Sequence, residues 1–191
     1  MMKWVEQKYG RAAAERVDRW RNLMASERDL PERDKLTLVN AFFNRLPWKT
    51  DQELWGREDY WATPIEALSI RGADCEDYSI AKYFTLRELG VPDSKLKIMY
   101  VKALRLNQAH MVLTYYPTPD AVPLVLDNIN GDILPASERP DLAPVYSFNA
   151  SSLWLAKRRG EGRRVGGSDR LSLWQDLQQR LQREGEQHND R

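Results

Sequence analysis

Gly72-Ala73-Asp74-Cys75-Glu76-Asp77-Tyr78 is the stretch on which both fold and chemistry turn. It holds the one cysteine of the 191-residue chain, set among three carboxylates. Asp74 is a good helix N-cap, and Asp77 stands three residues on, where a capping-box acid reaches back to the N–H of the cap. That spacing puts Cys75 at the first helical position. There the unpaired first-turn N–H groups and the positive end of the helix dipole favour a thiolate and can hold an oxyanion. The same acids work against the thiolate, because carboxylates a few ångströms away raise a thiol pKa. A divalent cation held by these oxygens removes the conflict, and a carboxylate cluster suits calcium better than zinc. Acids that merely cap a helix beside a small buried cysteine give the same spelling, so the motif by itself leaves both readings open.

Outward from the motif, the helix headed by Cys75 carries Ile80, Ala81, Phe84 and Leu89 and is stopped by Gly90, with Pro92 beyond. Just upstream, Thr63-Pro64-Ile65-Glu66 is a capping box with proline at the first helical position, opening a short helix that closes at Gly72. Downstream, Lys95 to Leu106 alternates, with Leu96, Ile98 and Tyr100 on one side and Met99 and Val101 on the other, as a strand does. Ala109 to Tyr116 is a second strand, and Pro123 to Asp127 a third. The link Pro117-Thr118-Pro119-Asp120 makes these two an antiparallel hairpin. His110 begins one strand and Asp127 ends the next, and in an antiparallel pair those ends are neighbours. A lone strand histidine is most often a packing residue; here the same hairpin end offers it an orienting acid.

Before the motif, Val17, Trp20, Leu23 and Met24 share a face in an amphipathic helix spanning Trp4 to about Met24. Leu36, Val39, Phe43 and Leu46 mark a second helix, ended by Pro47. Lys49 to Trp61 lacks helical periodicity and reads as an ordered loop whose Trp55, Tyr60 and Trp61 roof the core or line a peptide groove. After the hairpin, Asn128-Ile129-Asn130-Gly131-Asp132 is a turn without the rest of a calcium-loop pattern. Val145 to Asn149 and Leu153 to Leu155 are further strand candidates. Lys157 to Ser168 is expected to be a mobile basic loop, Ser168 to cap a last helix carrying Leu171, Trp174, Leu177 and Leu181, and Glu184 to Arg191 to be a frayed tail holding His188. The expectation is one α+β domain over 1–191, with N-terminal helices and the Cys75 helix packed on an antiparallel sheet.

Composition narrows the function. With 42% apolar residues the chain can bury a real core, and a net charge of +1 gives no global field for nucleic acid. One cysteine excludes an intramolecular disulfide and a cysteine-rich metal site, and two histidines exclude a multi-histidine zinc centre. No apolar run reaches membrane-spanning length, and Met1-Met2-Lys3-Trp4-Val5-Glu6 has no signal-peptide core, so the chain is expected to be soluble. Cysteine catalysis needs a thiolate, an imidazole and a group that fixes the imidazole's tautomer. Cys75, His110 and Asp127 supply one of each, with the Cys75 N–H as one oxyanion donor.

A cysteine at a helix N-terminus with histidine and aspartate on successive strands resembles the papain- and transglutaminase-like cysteine proteinases. More narrowly, Gly72-Ala73-Asp74-Cys75-Glu76-Asp77-Tyr78, Ala109-His110-Met111-Val112-Leu113 and Leu126-Asp127-Asn128 resemble the LapG-type bacterial periplasmic proteases. The similarity runs from the Trp4-Val5 helix to Tyr146-Ser147-Phe148-Asn149 and Leu153-Trp154. It implies a calcium-dependent endopeptidase that cuts a large surface adhesin near its N-terminus at paired alanines, releasing cells from a biofilm. It also implies a Cys75, His110 and Asp127 triad, calcium ligands Asp74, Glu76 and Asp77, and sequestration by the periplasmic domain of a cyclic di-GMP receptor of the LapD type, with Trp55 or Trp61 as contact. Two rivals stay open: a transglutaminase, in which an amine captures the same thioester, and a non-catalytic binding module that keeps the triad for structure.

Overall fold

The computed structural model describes residues 1–156 and 163–189. Helices come first. The N-terminal segment forms α1 (Met2–Tyr9) and α2 (Arg11–Ser26) rather than one helix. The break is Gly10, whose φ of +85° is a backbone position that glycine adopts without steric cost. Next come α3 (Glu32–Phe43), α4 (Asp51–Trp55), α5 (Pro64–Ile70) and α6 (Cys75–Glu88). Helix α4 lies where a loop was expected. Thr50 and Glu53 form a full capping box at its start, and Gly56 closes it in the left-handed conformation. Helix α5 begins as expected, with the Thr63–Glu66 capping box and Pro64 in the first turn.

The strands are β1 (Leu96–Ala103), β2 (Gln108–Tyr115), β3 (Leu124–Leu126), β4 (Leu134–Pro135), β5 (Leu142–Phe148), β6 (Leu153–Leu155) and β7 (Arg163–Gly166). They form one sheet in the order β4-β3-β2-β1-β5-β6-β7, every pairing antiparallel. Ile98, Leu113, Leu126 and Phe148 join the core made with the helices, whereas Val101, Val112 and Val125 form a small cluster of their own. Period-two alternation explains the split: each strand gives alternate side chains to opposite faces.

Helix α6 is buried along most of its length, and its Tyr78, Ile80, Ala81, Tyr83 and Leu86 are at most 3% exposed. Helix α2 fastens across it: the Trp20 indole N–H donates to Thr85 Oγ1 at 2.8 Å, and Arg16 donates to the Leu68 and Ser69 carbonyls at the end of α5. Residues 157–162 of the expected basic loop lie outside the described residues. Arg163–Gly166 is strand β7, paired with β6, because an antiparallel edge strand needs one neighbour only and tolerates charge on its open side. The last helix, α7 (Ser172–Asn189), starts after a 3-10 turn at Ser168–Arg170, so Ser168 does not cap it. Trp174 and Leu177 of α7 are fully buried. Of the expected frayed tail, residues 184–189 are helical and 190–191 lie outside the described residues; Thr63 Oγ1 donates to Glu184 at 2.8 Å, and Arg180 donates to Glu66 and to the Trp61 carbonyl. Among the described residues no helix is long and apolar enough to cross a membrane.

Candidate active site

Cys75 opens α6 at its first position, with Asp74 as N-cap in extended conformation. The approach to it is pinned on both sides of Ala73, whose N–H donates to the Pro47 carbonyl and whose carbonyl accepts from Lys49 N–H at 3.0 Å. Asp77 is fully buried and serves as a backbone acceptor: Oδ2 takes the Asp74 N–H at 3.4 Å and Oδ1 the Ala62 N–H at 2.7 Å. Both of its oxygens thus carry a backbone hydrogen bond, and among the described residues the acids that cluster are Asp51, Asp74 and Glu76. Inside the helix Ser79 Oγ donates to the Cys75 carbonyl, and the Tyr78 hydroxyl donates to the Leu46 carbonyl.

Across a cleft of about 520 Å³, Cys75 faces residues of β2, and the lining includes Asp59, Trp61, Glu76, Tyr100, His110 and Met111. His110 Nε2 lies 2.8 Å from Asp127 Oδ1, and both side chains are almost wholly buried. Asp127 also accepts the Ile129 N–H on Oδ1 at 3.0 Å and an Arg139 guanidinium N–H on Oδ2 at 2.8 Å. Burial alone would push this carboxyl up; the His110, Ile129 and Arg139 bonds outweigh it and hold it down at about 2. An ionised carboxylate only accepts, so the proton shared with His110 belongs to Nε2, which leaves Nδ1 as the basic nitrogen. Lys82, two turns after Cys75, is buried near the same carboxylate; burial lowers its ammonium to about 7, against the opposing pull of Asp127.

The acids around the sulfur lack compensation. The Cys75 thiol donates to Glu76 Oε2 at 2.9 Å. Burial, then the Glu76 charge and hydrogen bond, then Asp74, push the thiol far above the ordinary cysteine range, against a smaller opposing effect of the Met111 N–H. Asp51, Asp74 and Glu76 each offer an oxygen, all within 4.8 Å of one another. Asp51 Oδ1 and Asp74 Oδ1 are buried with no hydrogen-bond partner. Burial and the neighbouring acids raise Asp51 to about 6 and, with Asp77 and Glu76 the nearest charges, Asp74 to about 10. A cluster of three carboxylates, two of them with a buried oxygen that has no hydrogen-bond partner, is what a hard divalent cation would satisfy. Among the described residues neither His110 nor the thiol belongs to the set, so the donors suit calcium and not zinc.

Residues 7–146 match the family of bacterial transglutaminase-like cysteine proteinases (BTLCP). The chain belongs to that family. Two solved structures of Legionella pneumophila LapG, one of them EGTA-treated, superpose with TM-scores of 0.84 at 46% identity over 94% of this chain and 95% (EGTA-treated) or 93% of theirs. Calcium-bound Legionella pneumophila LapG superposes with a TM-score of 0.81 at 46% identity, over 94% of this chain and 97% of its own. No curated protein matches the chain.

In this cysteine proteinase Cys75 and His110 line one cleft, and Asp127 contacts His110. Asp74 and Glu76 lie in the acidic cluster and Asp77 beneath it. Its third acid, Asp51, was hidden in the presumed loop, although Thr50-Asp51-Gln52-Glu53 spells the capping box that places it. Arg139 gave no signal at all, since the hairpin spacing says nothing about the path of the chain beyond β4. Trp61, expected at the surface for a partner contact, is 5% exposed and stacks on Phe148 at 5.5 Å. Trp55 is half-buried against Tyr60 at 4.7 Å.

Proposed function

We propose that this proteinase is a calcium-dependent cysteine endopeptidase in which Cys75 is the nucleophile, His110 its proton partner and Asp127 the group that orients the imidazole. The observation that carries this reading is the buried His110–Asp127 pair sharing a cleft with the chain's one cysteine. His110 Nδ1 takes the thiol proton, and the thiolate attacks the scissile carbonyl carbon. The Cys75 N–H, at the head of α6, donates to the oxyanion that develops. Nδ1–H then protonates the leaving amine, and a water deprotonated by the same nitrogen hydrolyses the thioester. Asp51, Asp74 and Glu76 would hold the calcium, which when bound would supply the positive charge their neighbourhood requires. The calcium-bound and EGTA-treated forms of LapG support calcium as the cation.

The substrate is the N-terminal region of a large cell-surface adhesin, cut at paired alanines, and its release disperses a biofilm. The enzyme works in the periplasm, where the outer domain of a cyclic di-GMP receptor of the LapD type sequesters it, with Trp55 in the contact. The resemblance of the three motifs to LapG-type proteases supports these assignments, together with the 46% identity to LapG. The test is a peptide or adhesin fragment containing paired alanines, incubated with the protein in calcium. Two fragments appear, and they vanish with EGTA or in Cys75→Ala. A labelled amine incorporated in place of cleavage would establish the transglutaminase reading instead.

A further inference from the structure

We propose that Arg139 is a positioning residue for this chemistry, clamping Asp127 so that the His110 imidazole keeps its proton on Nε2. The proposal deepens the triad assignment above and rests on it. Asp127 comes after β3, a strand of three residues, and enters an irregular turn. Its own element does little to fix a side chain. Four groups surround the residue instead, each from a different segment. His110 of β2 and the Ile129 N–H take Oδ1, Arg139 takes Oδ2, and Asn44 from the end of α3 donates to the Asp127 backbone carbonyl at 2.9 Å. Lys82 of α6 adds its field from the helix side.

Of these, only Arg139 fixes the second oxygen, and so the rotation of the carboxylate about its last bond. Arg139 is itself gripped along the adjoining edge: Nε donates to Asp141 Oδ1 at 3.0 Å, and Nη2, the nitrogen that also reaches Asp127, donates to Asp141 Oδ2 at 2.9 Å. The Asp141 carbonyl accepts the Leu104 N–H at 2.8 Å, which ties the clamp to the end of β1. A planar guanidinium can hold two carboxylates at once in fixed directions, and an ammonium cannot. The residue is 5% exposed, and its Nη1 is buried without a hydrogen-bond partner. A fork that leaves both N–H groups of Nη1 unsatisfied is a poor device for stabilising a loop, because buried orphan donors cost free energy. Held in this orientation it serves the carboxylate at its tip.

The tautomer of His110 is the direct readout, and it needs no substrate. With two histidines in the chain, one of them in the last residues, ring-nitrogen NMR resolves His110. The wild type should show one Nε2–H tautomer with a slowly exchanging ring proton. Arg139→Gln and Arg139→Lys should give mixed tautomers, and in saturating calcium should alkylate Cys75 with iodoacetamide about tenfold more slowly, the scale of one charge-assisted hydrogen bond. Asp141→Asn, which loosens that anchor and leaves Arg139 in place, should move both readouts in the same direction by less. An Arg139→Gln protein that melts earlier yet keeps the wild-type ring spectrum and alkylation rate overturns the proposal. If that variant does not fold, an unchanged Asp141→Asn spectrum and rate overturn it equally. Failure of the triad itself looks different: His110→Ala and Asp127→Asn would then alkylate at the wild-type rate.

Discussion

Because the Cys75 thiol donates to Glu76 rather than to an imidazole, the sulfur is held in its unreactive form by a neighbour one residue away. The third acid of the cluster beside it was the one the sequence concealed. Asp51 donates no chemistry of its own, but its Oδ2 accepts the Tyr60 N–H at 2.6 Å, its Oδ1 is buried without a partner, and the carboxylate lies in one cluster with Asp74 and Glu76. Asp51→Asn should therefore weaken calcium binding about 10- to 100-fold, the range for losing a ligand or its support, as measured by titration calorimetry. Asp127→Asn should fold normally yet lower turnover of a cleavable peptide about 10³- to 10⁴-fold, by allowing the wrong imidazole tautomer. The cleft shared by Cys75 and His110 and the His110–Asp127 contact were legible because the chain has a single cysteine and a histidine at a strand start facing an acid at a strand end. Arg139 was not, since its partners are set by a turn whose path no local pattern encodes.

Elements were readable where caps and periodicity agreed. The starts of α5 and α6 are dictated by Thr63-Pro64-Ile65-Glu66 and by Asp74 with Asp77. The break between α1 and α2 is not legible, because the apolar stripe continues across Gly10 while the backbone does not. An added Cβ at Gly10 meets nothing within 4 Å, so Gly10→Ala tests the conformation alone; it should cost about 1–2 kcal/mol in chemical denaturation. The end of α7 is equally hidden, since what orders residues beyond Leu181 is long-range. Glu184 accepts from Thr63, while its Oε2 is buried without a partner, and burial raises its carboxyl to about 7. A folded-state pKa above the unfolded value near 4.5 means that the native state binds more protons between the two, so stability falls as pH rises through that window. Glu184→Gln keeps an acceptor for Thr63 and removes the charge; at pH 8 it should gain on the order of 1–3 kcal/mol over wild type, with no gain at pH 4.

At the scale of the molecule, the helices and the sheet meet on Trp174. Its indole stacks on Phe84 at 5.5 Å and lies edge-on to Phe148 at 5.1 Å, Tyr83 at 5.9 Å and Trp61 at 6.5 Å, joining α7, α6, β5 and the cleft wall. Trp174→Ala should cost about 3–5 kcal/mol, read as a lower denaturation midpoint at unchanged slope. The antiparallel hairpin β2–β3 and strands β1, β5 and β6 were foreseeable from alternation, but the order in which β5 pairs with β1 was not, because pairing partners are chosen by tertiary packing. That packing is what sets the Cys75 helix against the His110 strand and leaves three acids in one cluster. The most direct test of this arrangement is the rate of Cys75 alkylation by iodoacetamide as calcium is titrated into metal-free protein at constant pH. The rate should rise saturably by about tenfold or more, with the rise shifted to higher calcium in Asp51→Asn. A rate that stays flat or falls across the titration would contradict the arrangement.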